Sequence, residues 1–485
     1  MKTNLRLLPF LLLIALCGCY RILPSKGGGQ GAIRTGSRPI NPDDIALPAG
    51  YRAEVVATGL TFPTSVAFDA QGQLHVIEAG YSYGEVFLEP KLLRVAPDGS
   101  LTTVATGQKN GPWTGVTFHN GNFYVAEGGE LEGGKVLRIS PGGNITSILE
   151  NLPTMGDHHT NGLALGPDGM LYFGLGTATN SGVVGPDNYD YGWLKRHPEL
   201  HDIPCQDVTL AGRNYTSEIP LGTRSGKQAT GAYVPYGTPT TAGQVIPGSL
   251  PCSGAVIRVT PEGGQMELVA WGFRNPFGLA FSSNGTLYVS DNGYDVRGSR
   301  PVWGNGDYLW QVQQGQWYGW PDYSGGVAFN GDRFDPPGQD APQPLLAKHP
   351  NRPPDPAATL GVHSSSNGLD FSRSSTFGHE GEAFIAQFGD MAPGVGKVLA
   401  PVGYKVVRVN VAKGTVTDFA VNEGKKTGPA SKLKSGGLER PVAVKFSPDG
   451  QSLYIVDFGV MEMDGDQERP QQQTGVIWKI TKASN

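Results

Sequence analysis

Along much of the chain, apolar and polar residues alternate in short runs broken by Gly, Asp and Asn. Period-two alternation predicts β-strands, because successive side chains of a strand face opposite sides. One phrase recurs. It is an alternating run, a turn, then a second apolar run that often closes on an acidic residue, one further residue and Gly. Its clearest copies are GLALGPDGMLYFGLG (162–176), GLAFSSNGTLYVSDNG (278–293) and VAVKFSPDGQSLYIVDFG (442–459). Weaker copies are SVAFDAQGQLHVIEAG (65–80), GVTFHNGNFYVAEGG (115–129), and GLDF with EAFIAQFG inside 368–389. Each reads as a β-hairpin, and the first strands end at Phe68, Phe118, Leu165, Phe281, Phe371 and Phe446.

Further strands fill the intervals. They include Leu92 to Val95, Val136 to Ile139, Val256 to Val259, Val406 to Val409 and Val476 to Ile480. Two hairpins per repeat make a four-stranded antiparallel sheet. Six such sheets predict an all-β chain, a six-bladed β-propeller spanning 46–482, whose sheet edges are protected by radial packing. Tyr51 to Val56 and Val476 to Ile480 lack hairpin partners, so they are expected to share a blade and close the ring. The anchors are 50, 47, 116, 90 and 75 residues apart. A bare blade needs about 40–50, which places long rim insertions near 178–253 and 294–360.

The repeat also fixes phase, and equivalent positions fall at equal height around the channel. Seven and six residues before Leu165 stand His158 and His159. The same steps before Phe281 give Arg274 and Asn275, and before Phe446 they give Glu439 and Arg440. Before Phe371 they give Ser364 and Ser365, with His363 one step earlier. One end of the channel is therefore expected to be ringed by His158, His159, Arg274, Asn275, His363 and Arg440. Singly, each reads as a structural residue at a strand end. Together they suit an anionic ligand or cofactor and a general base.

Composition narrows the class. The chain has 485 residues, 71 Gly, 38 Pro, 17% charged residues and a formal net charge of −5. That is turn-rich but too apolar for disorder. No Lys/Arg run offers nucleic acid a footprint. Lys2 and Arg6 precede the apolar run Leu7 to Leu16, which is too short to span a bilayer. It ends in Leu16-Cys17-Gly18-Cys19. Residues 1–19 therefore read as a lipoprotein signal peptide with Cys19 lipidated, and 20–45 as a flexible tether. An ordinary secretory peptide is the alternative. The expectation is an exported protein, lipid-anchored to a bacterial membrane on its periplasmic or cell-surface face. Cys205 and Cys252 remain, and export favours a disulfide between them over two buried thiols.

At the ringing residues the chain resembles a known family. Gly156-Asp157-His158-His159-Thr160-Asn161-Gly162 resembles the histidine motif of the soluble glucose/sorbosone dehydrogenases. Phe273-Arg274-Asn275-Pro276-Phe277-Gly278-Leu279-Ala280-Phe281 resembles their R-N-P-x-G-L-A-F motif, and Tyr318-Gly319-Trp320-Pro321 their Y-G-W-P turn. His363-Ser364, Pro401 to Val409 and Arg440-Pro441-Val442 look closest to the L-sorbosone and pyranose dehydrogenase branch. The resemblance implies a quinoprotein that oxidises a sugar or related alcohol or aldehyde by hydride transfer to pyrroloquinoline quinone (PQQ), with Ca²⁺. It implies His158 as base, Asp157 orienting its imidazole, and Arg274 stabilising charge on the quinone oxygen. Asn275 and His363 would bind the cofactor, and Lys397 and Arg440 would pair with its carboxylates. Carbonyls of Gly293 and Tyr294 would hold Ca²⁺. Family members often carry Gly-Pro where this chain has Gly293-Tyr294, and the simplest lack the stretch Tyr189 to Asp207. Electrons would leave to an external acceptor, a cytochrome or a quinone. Two other readings stay open. One is a non-catalytic surface propeller binding carbohydrate or protein. The other is a lactonase-like hydrolase, which needs a ring of acidic and amide metal ligands where this chain places His and Arg.

Overall fold

The computed structural model describes residues 31–219, 226–330, 332–335, 341–391, 400–424, 427–464 and 467–483. Cys19 and Lys397 lie outside the described residues. Six blade sheets follow one another along the chain. Their innermost strands are Pro63–Phe68, Trp113–His119, Thr160–Leu165, Pro276–Phe281, Ser366–Phe371 and Pro441–Phe446. Five end on the predicted anchor, and the second runs one residue past Phe118. These six strands contact one another in sequence, and Pro63–Phe68 meets Pro441–Phe446 to complete the circle.

The second strand of each blade departs from alternation. Leu74–Glu78, Leu171–Leu175, Leu287–Asp291 and Ala383–Gln387 are buried at every position. Both faces of these strands pack against neighbouring blades, so an unbroken apolar run is what burial requires. Closure comes from the chain's two ends: Tyr51–Leu60 pairs with Gly475–Lys482, with Tyr51 opposite Lys482 and Leu60 opposite Gly475.

The acidic residue of the repeat has a structural task. Asp291 ends the second strand of blade four. Its carboxylate accepts the backbone N–H of Arg274 at 3.1 Å and of Asn275 at 2.7 Å. The indole N–H of Trp310 adds a third donor at 3.3 Å. In blade six Asp457 accepts from the N–H of Glu439 and Arg440, at 2.9 and 2.8 Å, and from Trp478 at 3.2 Å. Each carboxylate thus clasps the loop just before the inner strand, and a buried acceptor needs such donors.

Two regions differ from the sequence reading. The segment 294–360 is not one insertion, because it contains two strands of blade four, Asp307–Gln311 and Ala358–Gly361. The intruding stretches are 292–306 and 312–357. The alternation of Asp307-Tyr308-Leu309-Trp310 was masked by the Gly- and Pro-rich sequence around it. The tether also ends earlier than expected. Arg38 forms a buried ion pair with Asp457 at 2.7 Å and donates to the carbonyls of Thr474 and Gly437. Ile45–Ala46 adds a strand to blade five beside Val421 and Asn422. The first insertion carries the helices Pro186–Asp190 and Trp193–Arg196 and two small hairpin sheets. A disulfide joins Cys205 to Cys252.

Trp478 is fully buried between blades five and six and also supports Asp457. Trp478→Ala should destabilise the propeller by about 3–5 kcal/mol, read as a lower urea midpoint. A shift of the size seen for surface substitutions would contradict this account of closure.

Candidate functional site

The loops clasped at the inner-strand entrances surround a cavity of about 180 Å³. His158, His159, Arg274, Asn275 and His363 all line it. Phe277, Phe388, Met391, Val442, Phe458 and Met461 give the lining apolar surface, while His158, Asn161, Arg274, Asn275 and Asn292 give it polar groups.

His158 is 4% exposed, and its protonation pattern follows from its neighbours. Nδ1 lies 3.0 Å from the Thr177 carbonyl and 3.1 Å from the Thr177 hydroxyl. That hydroxyl donates its own hydrogen to the Thr179 carbonyl at 2.7 Å. Both partners of Nδ1 are therefore acceptors, so Nδ1 carries the hydrogen and Nε2 keeps its lone pair. Burial lowers the imidazole pKa to about 3, with Asp157 opposing and Arg274 and Arg297 reinforcing the shift. His158 is thus neutral at physiological pH, with its basic nitrogen open. Thr177 supplies the orientation. Asp157 stands instead beside Nε2, 3.7 Å away, where it acts by charge.

His159 is neutral for the same reason, with burial lowering its pKa to about 4. Neither of its ring nitrogens has a hydrogen-bond partner. The Asn161 side-chain oxygen and His363 Nε2 are likewise buried and unpartnered. Such groups are costly to leave unsatisfied, and here all three line the cavity. An amide relay starts at Asn161. Asn161 donates to Asn275 at 2.7 Å, Asn275 to Asn292 at 2.9 Å, and Asn292 to the Ser366 carbonyl at 2.9 Å. His363 is held with φ +54°, a backbone region uncommon for side-chain-bearing residues.

Arg274 donates through Nε to the Asn180 carbonyl at 3.0 Å. Its Nη2 donates to the Asn180 side chain at 2.9 Å and to Asp295 at 3.0 Å. Arg297, Asp295 and Asp187, which the repeat did not flag, complete a charged cluster with Asp157. Burial would raise the Asp157 and Asp295 carboxyls, but the surrounding arginines outweigh it and hold both below the ordinary range. The cationic rim expected from sequence is therefore largely neutralised. Two histidines are uncharged, and both lining arginines are ion-paired.

Arg440 is elsewhere. Its guanidinium is buried at 2% exposure, donating to the carbonyls of Phe388, Gly389, Asp390 and Met461, with the rings of Phe388 and Tyr404 beside it. It ties blade six to the loop after blade five's second strand and does not line the cavity. Gly293 lines the cavity, whereas the Tyr294 carbonyl accepts from Asn305 at 2.6 Å. Among the described residues no cluster of His, Cys, Asp and Glu suits a metal ion.

The two depressed histidines make acid stability predictable. In the unfolded chain they take up protons near pH 6.5, but in the folded protein only near 3 and 4. Acidification below about 6.5 therefore favours the unfolded chain, by about 1.4 kcal/mol per pH unit for each group. His159→Gln should reduce the stability lost between about pH 6.5 and 4.5 by about 1–3 kcal/mol, measured from urea midpoints at both pH values. Equal losses in variant and wild type would refute the buried neutral assignment.

No protein-family model matches the chain. It is 25% identical over 321 residues to quinoprotein glucose dehydrogenase B of Acinetobacter calcoaceticus, covering 59% of this chain and 56% of that protein. The match thus spans little more than half the relative's length. The holo PQQ domain of a pyranose dehydrogenase from Coprinopsis cinerea superposes with TM-score 0.54 at 14% identity, covering 93% of this chain and 100% of that one. The apo soluble aldose sugar dehydrogenase of Escherichia coli gives TM-score 0.52 at 14% identity, covering 89% and 100%. The chain is a six-bladed β-propeller related in sequence to a quinoprotein glucose dehydrogenase and sharing its fold with the soluble aldose sugar dehydrogenases.

Proposed function

We propose that the protein is a PQQ-dependent dehydrogenase that oxidises a sugar or a related alcohol or aldehyde. The observation that carries this reading is the pairing of His158 and Arg274 at one cavity: an imidazole locked with Nε2 unprotonated, beside a guanidinium held by Asn180 and Asp295. The unpartnered polar atoms of His159, Asn161 and His363 fit a ligand rich in carbonyl and ring nitrogen atoms. The apolar side chains of the lining fit a flat ring face. When bound, PQQ supplies a two-electron acceptor for hydride.

The chain's own residues do the rest. His158 Nε2 takes the proton of the substrate hydroxyl, and Thr177 keeps the other nitrogen protonated so that the tautomer cannot reverse. Arg274 offers positive charge to a cavity oxygen that gains electron density. Asn275, fixed by its neighbours in the amide relay, orients the bound ring. The three carboxylates of PQQ find no unpaired cation among the described lining residues. Lys397, their expected partner together with Arg440, lies outside the described residues. Ca²⁺ would meet the Gly293 carbonyl but shares that of Tyr294 with Asn305.

Purified protein should bind PQQ, followed by absorbance or calorimetry, and should then reduce a redox dye with members of a sugar panel. No PQQ binding, with or without Ca²⁺, would sink the dehydrogenase reading in favour of a binding propeller. His158→Ala should lower kcat by a factor on the order of 10²–10⁴ while leaving PQQ affinity within about tenfold; full turnover in the variant would refute the base. We further propose that Cys19 carries lipid, which would hold an oxidising enzyme beside a membrane electron acceptor. Cys19→Ala should shift the protein from the membrane to the soluble fraction and abolish fatty-acid labelling, and retention of both would disprove the anchor.

A further inference from the structure

Arg297 stands in the stretch 292–306 that interrupts blade four. All three of its guanidinium nitrogens are engaged. Nη2 donates to Asp157 Oδ2, Nη1 to Asp187 Oδ2 at 2.8 Å and Nε to Asp295 Oδ2 at 3.1 Å. The three carboxylates come from the loop before blade three, the first insertion's helix and the arginine's own loop. Arg274 approaches the same oxygens of Asp157 and Asp295, at 3.5 and 3.0 Å. Two arginines and two aspartates thus alternate around a closed ring. A histidine stands at each aspartate: His158 Nε2 is 3.7 Å from Asp157 Oδ2, and His363 Nδ1 is 3.5 Å from Asp295 Oδ1. The ring of Tyr191, from the first insertion, lies 5.4 Å from the Arg297 guanidinium.

A guanidinium with every nitrogen committed to protein carboxylates has little left for a ligand. What it can do is hold charges in place where water does not screen them. We propose that Arg297 is a positioning residue for His158: by closing the ring it fixes Asp157 beside Nε2 and balances its charge, so that the imidazole stays neutral and ready to accept a proton. Only the identity of that proton rests on the dehydrogenase reading. The electrostatic role concerns the protein alone.

The charged groups facing His158 are Asp157, Arg274, Arg297 and Asp295. Asp187 pairs with Arg297 on Nη1, and Asp202 accepts from the Ala178 N–H and the Thr179 hydroxyl next to Thr177. Tyr83 donates to the Asp157 carbonyl, and the neighbouring His159 is neutral. Without Arg297, Asp157 and Asp295 would face Arg274 alone, and Asp187 would lose its ion pair. Excess negative charge favours an imidazolium, and one charge within about 4–6 Å moves a pKa by about 1–3 units.

The test is a titration of ¹⁵N-histidine-labelled protein by NMR between about pH 4 and 8, without cofactor. Wild-type His158 should remain the neutral Nδ1–H tautomer throughout. In Arg297→Gln its midpoint should rise by about 1–3 units, bringing protonation into the window. Arg297→Lys, which keeps the charge, should shift it much less. Should Arg297→Gln fail to fold, the double variant Arg297→Gln/Asp187→Asn removes one buried charge of each sign and should still show a smaller upward shift. A folded Gln or double variant in which His158 stays neutral overturns the proposal, and so does a Lys variant that shifts as far as Gln. Movement of His158 in a protein that never binds PQQ would leave the ring standing and reject the dehydrogenase. PQQ-dependent sugar oxidation with an unmoved His158 would do the reverse.

Discussion

The site depends first on a buried carboxylate accepting backbone N–H groups. Asp291 binds the two residues that enter blade four's inner strand, and those residues are Arg274 and Asn275. The side chains are delivered to the cavity because the main chain beneath them is clasped, and Trp310 braces the clasp from the third strand. Burial lifts the Asp291 carboxyl to about 7 despite its donors, so the clasp holds at some electrostatic cost. Blade six uses the same device, through Asp457 and Trp478. There the arginine it delivers turns away from the cavity and satisfies loop carbonyls. One clasp serves the site and the other serves the ring of blades, with the same backbone geometry.

That difference marks what could be read from the sequence. The six inner strands were legible because alternation and turn residues repeat with a recognisable phrase; His158, Arg274 and Asn275 were reachable because they stand in phase with it, and His363 because it stands one step from it. Phase fixes where a residue leaves the backbone, but not where a long side chain ends. Arg440 has the correct phase and the wrong destination, because the carbonyls of Phe388, Gly389 and Asp390 and two aromatic rings offer its guanidinium a better-satisfied place. Arg297, Asp295 and Asp187 had no phase at all. They sit in stretches that interrupt the repeat, and only the folded chain shows that they meet. A charged Asp-x-Arg following Asn292-Gly293 was the available signal, and it named no partner.

Charge at the cavity also changes meaning once the structure is known. Counting His and Arg around a rim suggests attraction for anions. Burial instead strips the two histidines of their protons, and the arginines are answered by aspartates. What remains is a cavity of fixed dipoles and balanced charge rather than a cationic well. Such a lining presents an uncharged, oriented imidazole rather than a cationic grip on anions.

The ring of arginines and aspartates is costly to assemble, because removing four charges from water is repaid only when geometry satisfies them all. Well-packed apolar residues would often stabilise such a position better. The ring joins the loop before blade three, the entrance to blade four's inner strand and the stretch 292–306, so its geometry fixes how these three segments meet. Arg297 joins Asp187 of the first insertion to Asp157 beside His158, and Arg300 does similar work deeper in the same interface, binding Asp322 and the carbonyls of Ser181, Pro321 and Gln343. The insertions are thus fastened to the propeller at the point where charge bears on His158. A change in how they dock would alter the histidine's basicity without touching it, and this links the chain's least regular segments to the chemistry of its most regular ones.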